Sequence, residues 1–252
     1  MVRSSRRQKR NHGALWRRIG VVSLFVPVFV AVGWGIQQLR DPNNMPIRAV
    51  QIEGEFRHLS AKQLEEAVGG YVSEGFFNVN VEAVRAAVET LPWVYRASVR
   101  RVWPDALRVK VKEQKALARW NNKGLINIYG EFFAPAANSF PTYLPVLSGP
   151  MELLDQVVDQ YLAMTKVVRS VGRDVKRLAQ DQRRAWFMEW DNDVELKLGR
   201  SDPYPRLLRF LRVYPDLLAA NEPRLRTVDL RYSNGFAVHW DSQGLEEPGQ
   251  PG

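Results

Sequence analysis

The sequence predicts an α+β protein carried on a single membrane-spanning helix, with a β-α-α-β-β domain first and an antiparallel β domain with packed helices after it. Three observations carry that expectation. Residues 19–36, IGVVSLFVPVFVAVGWGI, hold no charged side chain, and an apolar stretch of about 18 residues or more is long enough to cross the hydrocarbon core as a helix. From residue 47 to residue 113, strand-like alternation brackets two stretches whose apolar residues recur at helical spacing. Beyond residue 115, short alternating runs are punctuated by turns rich in Asn, Asp and Gly, with two helical patterns among them.

The first eighteen residues hold Arg3, Arg6, Arg7, Lys9, Arg10, Arg17 and Arg18 and neither Asp nor Glu. Lys and Arg crowded on one flank of a span keep that flank cytoplasmic. Residues 1–18 therefore read as a cytoplasmic tail and 19–39 as the transmembrane helix, with the rest of the chain outside. A cleaved signal peptide is the alternative, since Ala31-Val32-Gly33 loosely fits a small-x-small cleavage site. Against it, the apolar run continues through Trp34 and Ile36, and Trp34 suits the interfacial belt of a retained span.

The tail also accounts for most of the charge. The chain carries 36 Lys and Arg against 27 Asp and Glu, a net +9. Without the seven cations of the tail, 29 face the same 27 acids, a net +2. An outer region so nearly balanced has no global electrostatic reason to seek nucleic acid; the tail's charge suits topology and anionic lipid. The absence of cysteine excludes a disulfide framework, a thiolate zinc site, an iron–sulfur cluster and a cysteine nucleophile.

Residues 40–46, with Pro42 and Pro46, read as a short stiff linker. Ile47, Ala49 and Ile52 alternate with polar residues up to Gly54, a strand. Ser60 is placed to cap a helix whose Leu64, Ala67 and Val68 share a face, ending at Gly69-Gly70. Val81, Val84, Ala87, Val88 and Leu91 form a second helical face, closed by Pro92. Val94 to Trp103 and Leu107 to Glu113 are strands about a Pro104-Asp105-Ala106 turn, with Arg108, Lys110 and Lys112 opposite Leu107, Val109 and Val111.

Lys115 to Trp120 and Leu125 to Tyr129 flank Asn121-Asn122-Lys123-Gly124, a hairpin signal. A helix over about Met151 to Val171 carries Leu154, Val158, Tyr161 and Val168 on its inward stripe, with Gly172 behind it. Ala185 to Trp190 and Val194 to Leu198 bracket a turn at Asp191-Asn192-Asp193. Ser201-Asp202-Pro203 opens a helix bearing Leu207, Leu211 and Tyr214, which Pro215 bends or ends. Leu225 to Tyr232 and Phe236 to Trp240 read as a final hairpin turning at Ser233-Asn234-Gly235, and residues 241–252 as a disordered tail.

Catalytic signals are weak. His12, His58 and His239 have no metal-ligand spacing, and no nucleophile elbow, phosphate-binding loop or H-E-x-x-H occurs. Glu189, Asp191, Asp193 and Glu195 could supply a glycosidase pair, although Asp and Asn favour hairpin turns and the two Glu residues fall on a wet strand face.

The order β-α-α-β-β resembles a POTRA domain, here residues 47–115. Trp93-Val94, Ala97, Val99, Arg101, Trp103-Pro104, Leu107, Val109, Val111 and Glu113 are similar to that domain in the FtsQ/DivIB bacterial cell-division family. Ala118-Arg119-Trp120-Asn121, Gly124-Leu125-Ile126-Asn127, Gly130, Phe133, Leu147, Gly149-Pro150, Arg183-Arg184-Ala185-Trp186, Leu198-Gly199-Arg200 and Val228-Asp229-Leu230-Arg231-Tyr232 extend the resemblance through 116–240, in the gamma-proteobacterial FtsQ type. It implies a non-enzymatic scaffold of the division complex without a cofactor. That scaffold is held in the cell inner membrane at the septum, with its N-terminus cytoplasmic and its C-terminal region periplasmic, and links early cytoplasmic to late periplasmic division proteins.

The resemblance further implies that other division proteins meet the POTRA-like domain and the transmembrane segment. FtsB and FtsL would bind the edge strand of the β domain through Arg184, Arg231, Tyr232, Asn234, Gly235 and Phe236. An edge strand offers free N–H and C=O groups to an incoming strand, and neighbouring arginines can hold its carboxylates bidentately. Phe236 and His239 stand where the family commonly has a small residue and a glycine. Two rivals stay open: a membrane-anchored cell-wall enzyme using the Glu189–Glu195 acids, and a POTRA-type translocation or assembly factor.

Overall fold

A computed structural model describes residues 27–38, 41, 43–217 and 224–241. The expected cytoplasmic tail (1–18), residues 19–26 and 39 of the expected span, and residues 242–252 of the expected disordered tail lie outside them. Helix α1 occupies 27–38 and leaves Val28, Phe29, Val30, Val32, Trp34 and Ile36 exposed. Among the described residues no helix is long and apolar enough to cross a membrane. The chain divides into two units, Met1–Glu113 and Gln114–Gly252.

In the first unit, β1 (Ala49–Glu53), α2 (Ala61–Val72), α3 (Val81–Glu89), β2 (Val94–Val102) and β3 (Ala106–Glu113) follow in that order. The sheet runs β1-β3-β2, with β1 parallel and β2 antiparallel to β3. Ser60 and Gln63 form a reciprocal capping box on α2, and the Asn80 side chain accepts from the N–H groups of Glu82 and Ala83 at the start of α3. Leu64, Val68, Val84 and Val88 bury themselves against Ala97, Leu107, Val109 and Val111. Helix α2 does not stop at Gly69-Gly70 but continues to Val72. Two helical glycines cost about 2 kcal/mol relative to alanine; the packing of Tyr71 and Val72 against the core offsets that cost.

The second unit builds one nine-stranded sheet, ordered β12-β11-β10-β9-β8-β7-β4-β5-β6. Its strands are β4 (Ala116–Trp120), β5 (Gly124–Asn127), β6 (Phe132–Phe133), β7 (Val146–Ser148), β8 (Val175–Gln180), β9 (Trp186–Trp190), β10 (Glu195–Gly199), β11 (Leu225–Asp229) and β12 (Ala237–Trp240). Helices α4 (Leu154–Val168) and α5 (Pro203–Leu217) connect β7 to β8 and β10 to β11. The sheet is therefore mixed rather than antiparallel: β7·β8, β10·β11 and β4·β7 are parallel. For β7·β8 and β10·β11 the helix between the strands returns the chain to the starting end, which makes them parallel; β4 and β7 are joined instead through β5 and β6.

Strand β8 and the short β6 and β7 carry no readable alternation of their own, so the sequence pattern does not predict them. The final hairpin is also looser than expected, pairing only Leu225–Asp229 with Ala237–Trp240. Leu230 lies just beyond the hairpin but stays on the β10 side, its N–H bonded to Lys197 O at 2.9 Å and its side chain buried. Pro215 lies inside α5, which runs on to Leu217.

Direct cross-strand pairing sets Trp120, Leu147, Leu178, Met188, Leu196, Val228 and Val238 in one row. All but Val238 are at most 2% exposed. Trp190, Phe210 and Tyr214 close α5 onto this face, with the Trp190 and Tyr214 ring centroids 5.1 Å apart and edge-on.

Glu113 locks the far end of the first unit. Its carboxylate accepts from the backbone N–H of Arg57 at 2.6 Å and of His58 at 2.8 Å, and lies 2.8 Å from His58 Nδ1. The His58 ring stacks on Trp93 at 3.8 Å. Because the Glu113 side chain is 8% exposed, Glu113→Ala strands two backbone donors. It is expected to cost about 2–3 kcal/mol, read as a lower urea midpoint for this unit, while Glu113→Gln, which keeps one acceptor, costs less.

Candidate partner-binding surface

The two margins of the nine-stranded sheet differ. Strand β6 has only two residues, too short to template a partner. Strand β12 has four and, among the described residues, pairs on one side alone, with β11. Alternate N–H and C=O groups along its other side therefore point outward. Ala237 and His239 are exposed on the face away from the helices, whereas Phe236, Val238 and Trp240 are half-buried against the core. One strand further in, Leu225, Val228 and Leu230 are at most 2% exposed. Another strand laid along β12 would give Phe236, Val238 and Trp240 the cover that their inner neighbours already have.

The sequence-predicted residues gather at one end of this sheet. Trp186 pairs with Gly199, Lys197 with Asp229, and Asp229 with Ala237. The start of β9, the ends of β10 and β11 and the start of β12 therefore share an end. Arg184 precedes β9 in a tight turn, at φ +63°, closed by its own N–H to Asp181 O at 2.9 Å and by Ala185 N–H to Asp181 Oδ1 at 2.7 Å. Arg231, Tyr232, Asn234, Gly235 and Phe236 occupy the β11–β12 connection. Strand β10 lies between, so roughly 10 Å of sheet separates the two groups at one strand spacing each.

These residues do different work. Phe236 packs edge-on against Phe210, with centroids 5.5 Å apart, and pins the connection to α5. Tyr232 is 55% exposed, and Arg184, Asn234 and Gly235 are exposed with it. Arg231 is occupied: its Nη2 lies 2.6 Å and its Nε 2.9 Å from Asp229 Oδ2, and its N–H bonds Asp229 Oδ1. It shapes the loop before it could meet any partner.

Two supporting arginines escape a sequence reading. Arg209 of α5 donates to the carbonyls of Tyr232 at 3.2 Å and Ser233 at 2.5 Å, fixing the connection from below. Arg206 reaches Leu198 O at 2.8 Å. Gly199, at φ +79°, permits that reach, since a Cβ there would collide with the Arg206 guanidinium and press on Arg231 Cγ at 3.1 Å. On the sequence both arginines look like ordinary solvated cations of a helix. With Arg183, Arg184 and Arg200, this end of the sheet is strongly basic and suited to an acidic segment.

The acids weighed as catalysts sit elsewhere, on the open sheet face and its turn. Glu189 meets Lys176 at 2.7 Å and Arg177 at 3.2 Å, and Lys176 also binds Asp193. The Lys176 ammonium holds the Asp193 carboxyl below the usual carboxylate range, the wrong direction for a general acid. Among the described residues no cluster of His, Asp or Glu could hold a metal ion.

Two family models match the chain. One, described as POTRA domain, FtsQ-type, covers residues 45–114. The other, Cell division protein FtsQ/DivIB, C-terminal, covers 118–231. Among curated relatives, Cell division protein FtsQ of Shewanella oneidensis is 38% identical over 235 residues, 93% of this chain and 89% of that protein. The protein of the same name from Allochromatium vinosum is 39% identical over 222 residues, 88% of each. That from Coxiella burnetii is 34% identical over 237 residues, 94% of this chain and 97% of the other.

The Arg231 guanidinium also holds the Asp229 carboxyl below its ordinary range, against the upward push of partial burial. A carboxyl depressed in the folded state adds stability in full above its unfolded value of about 3.9, and loses it as pH falls through the lower folded value. Asp229→Asn is therefore expected to lower the urea midpoint by a constant amount above about pH 5, with the two proteins converging below about pH 4.

Proposed function

Because this chain belongs to the FtsQ/DivIB family of bacterial cell division proteins, we propose that it is a single-pass, non-enzymatic scaffold of the division complex that captures FtsB and FtsL along β12. The uncharged run at 19–36 behind a basic tail, and the exposed apolar surface of α1, support an inner-membrane anchor with the two units in the periplasm at the septum. The observation that carries the reading is the side of β12 left unpaired among the described residues, with Phe236, Val238 and Trp240 half-covered behind it. Strand addition supplies affinity through main-chain hydrogen bonds and specificity through such half-open side-chain sites. Arg184, Tyr232 and the Asn234–Phe236 segment flank that edge and would set the register of the incoming strand.

Anchoring matters to the energetics. Partners held in the same membrane meet at a raised effective concentration, so a modest interface suffices. The first unit and the transmembrane segment would meet other division proteins.

The test uses the full chain in nanodiscs and an FtsB–FtsL pair. Arg184→Glu and Tyr232→Ala, each shown to keep the wild-type circular dichroism, are expected to weaken binding at least about tenfold, as for a hot-spot residue. Hydrogen exchange on the wild-type complex is expected to slow at the β12 amides. Binding that leaves β12 exchange unchanged would move the interface off this edge.

A further inference from the structure

Trp103 is 77% exposed at the tip of the β2–β3 hairpin, more than any other tryptophan among the described residues. Phe77, on the loop between α2 and α3, is 44% exposed. Both belong to the end of the first unit at which the chain arrives from α1. Arg48 N–H bonds Asp105 O at 2.8 Å beside Trp103, and Phe76 N–H bonds Met45 O at 2.9 Å beside Phe77. Six residues lie between the end of α1 at 38 and Met45, which caps their separation at roughly 25 Å. Asn44 Nδ2 also donates to Gln38 Oε1 at 2.6 Å.

Behind this tip the sheet face turned away from the helices is a ladder of cations. Arg100 pairs across with Arg108, Ser98 with Lys110, and Arg96 with Lys112, while Glu53 and Gln51 stand beside Lys110 and Arg108. Five basic side chains thus share the face with a single carboxylate, and Glu53 is taken by Arg108 at 3.1 Å. Arg100 and Lys110 are exposed and form no ion pair among the described residues. Like charges directly opposite on a sheet destabilise it, so folding of this unit alone does not account for the ladder.

We propose that this end of the first unit is a lipid-docking surface: Trp103 and Phe77 seat in the headgroup layer of the membrane, and the Arg100–Lys110 ladder meets anionic lipid phosphates. The inference rests on the anchored reading above and adds a second membrane contact to it. Tryptophan takes interfacial depth because its ring is apolar and its N–H polar. Basic groups near an anionic bilayer act within about a Debye length, ~8 Å at physiological salt. A unit tethered by so short a linker meets that surface at high effective concentration. Docking would fix the height and tilt of the first unit above the bilayer.

The chain's lack of cysteine makes single-site labelling direct. The full chain is reconstituted in bilayers of phosphatidylethanolamine with phosphatidylglycerol, carrying one nitroxide at Asp105→Cys, Glu55→Cys or Val30→Cys. Collisions with oxygen and with a water-soluble nickel chelate report depth. The label at 105 is expected to lose chelate collisions relative to that at 55, at the opposite end of β1, and to regain them on Trp103→Ala with Phe77→Ala. Arg100→Glu with Lys110→Glu is expected to raise chelate access in these bilayers but not in pure phosphatidylcholine.

A label at 105 as open to the chelate as that at 55, with the label at 30 immersed, overturns the docking surface and leaves the anchor intact. Immersion at 105 that ignores both variant pairs overturns it too, and leaves the ladder to an acidic protein partner. A label at 30 open to the chelate overturns docking and anchoring together.

Discussion

One face of a nine-stranded sheet has to be covered, and two helices do the covering. The row from Trp120 through Leu178 and Met188 to Val228 is dry because α4 lies against β7 and β8 and α5 against β10. The cover gives out at β12, where Val238 continues the row only half-buried. The exposed margin is thus a consequence of where the core ends. At about 25 cal/mol per Å² of apolar surface removed from water, the uncovered parts of Phe236, Val238 and Trp240 are a standing incentive for a further strand.

The hairpin bearing that margin is held from behind. Phe236 rests on Phe210, Arg209 grips two carbonyls of the connection, and Arg231 is tied to Asp229. Ordering the loop before a partner arrives lowers the entropy cost of binding. Arg231 and Arg184, alike on the page, are therefore held differently: Arg231 is paired with Asp229 while its side chain stays 61% exposed, and Arg184 faces solvent with its backbone fixed by Asp181.

The local elements were legible in the sequence because their signals are local. Ser60 with Gln63, Pro203 at the start of α5, the Asn121-Asn122 turn at positive φ and the alternation at Leu107, Val109 and Val111 each act within a few residues. Where reading failed, a distant contact had overruled a local cue. Tyr71 and Val72 carry α2 past two glycines for the sake of the core, and the final hairpin stops at Asp229 and Ala237 while Leu230 stays bonded to β10 and buried. Strand β8 was hidden because its alternation is broken by a register shift between Val175 and Arg177.

By itself, the sequence determined the two-unit order, the family, and the residues that share a strand or helix face. Tertiary structure decided which strands lie side by side, that three of those pairings are parallel, and that β12 ends the sheet among the described residues. It also decided that Arg184 joins the 231–236 segment across β10. Side-chain periodicity states which way a residue points from its own backbone, whereas strand neighbours are chosen by hydrogen bonds and helix crossovers between residues far apart in the chain, and no local pattern encodes that choice.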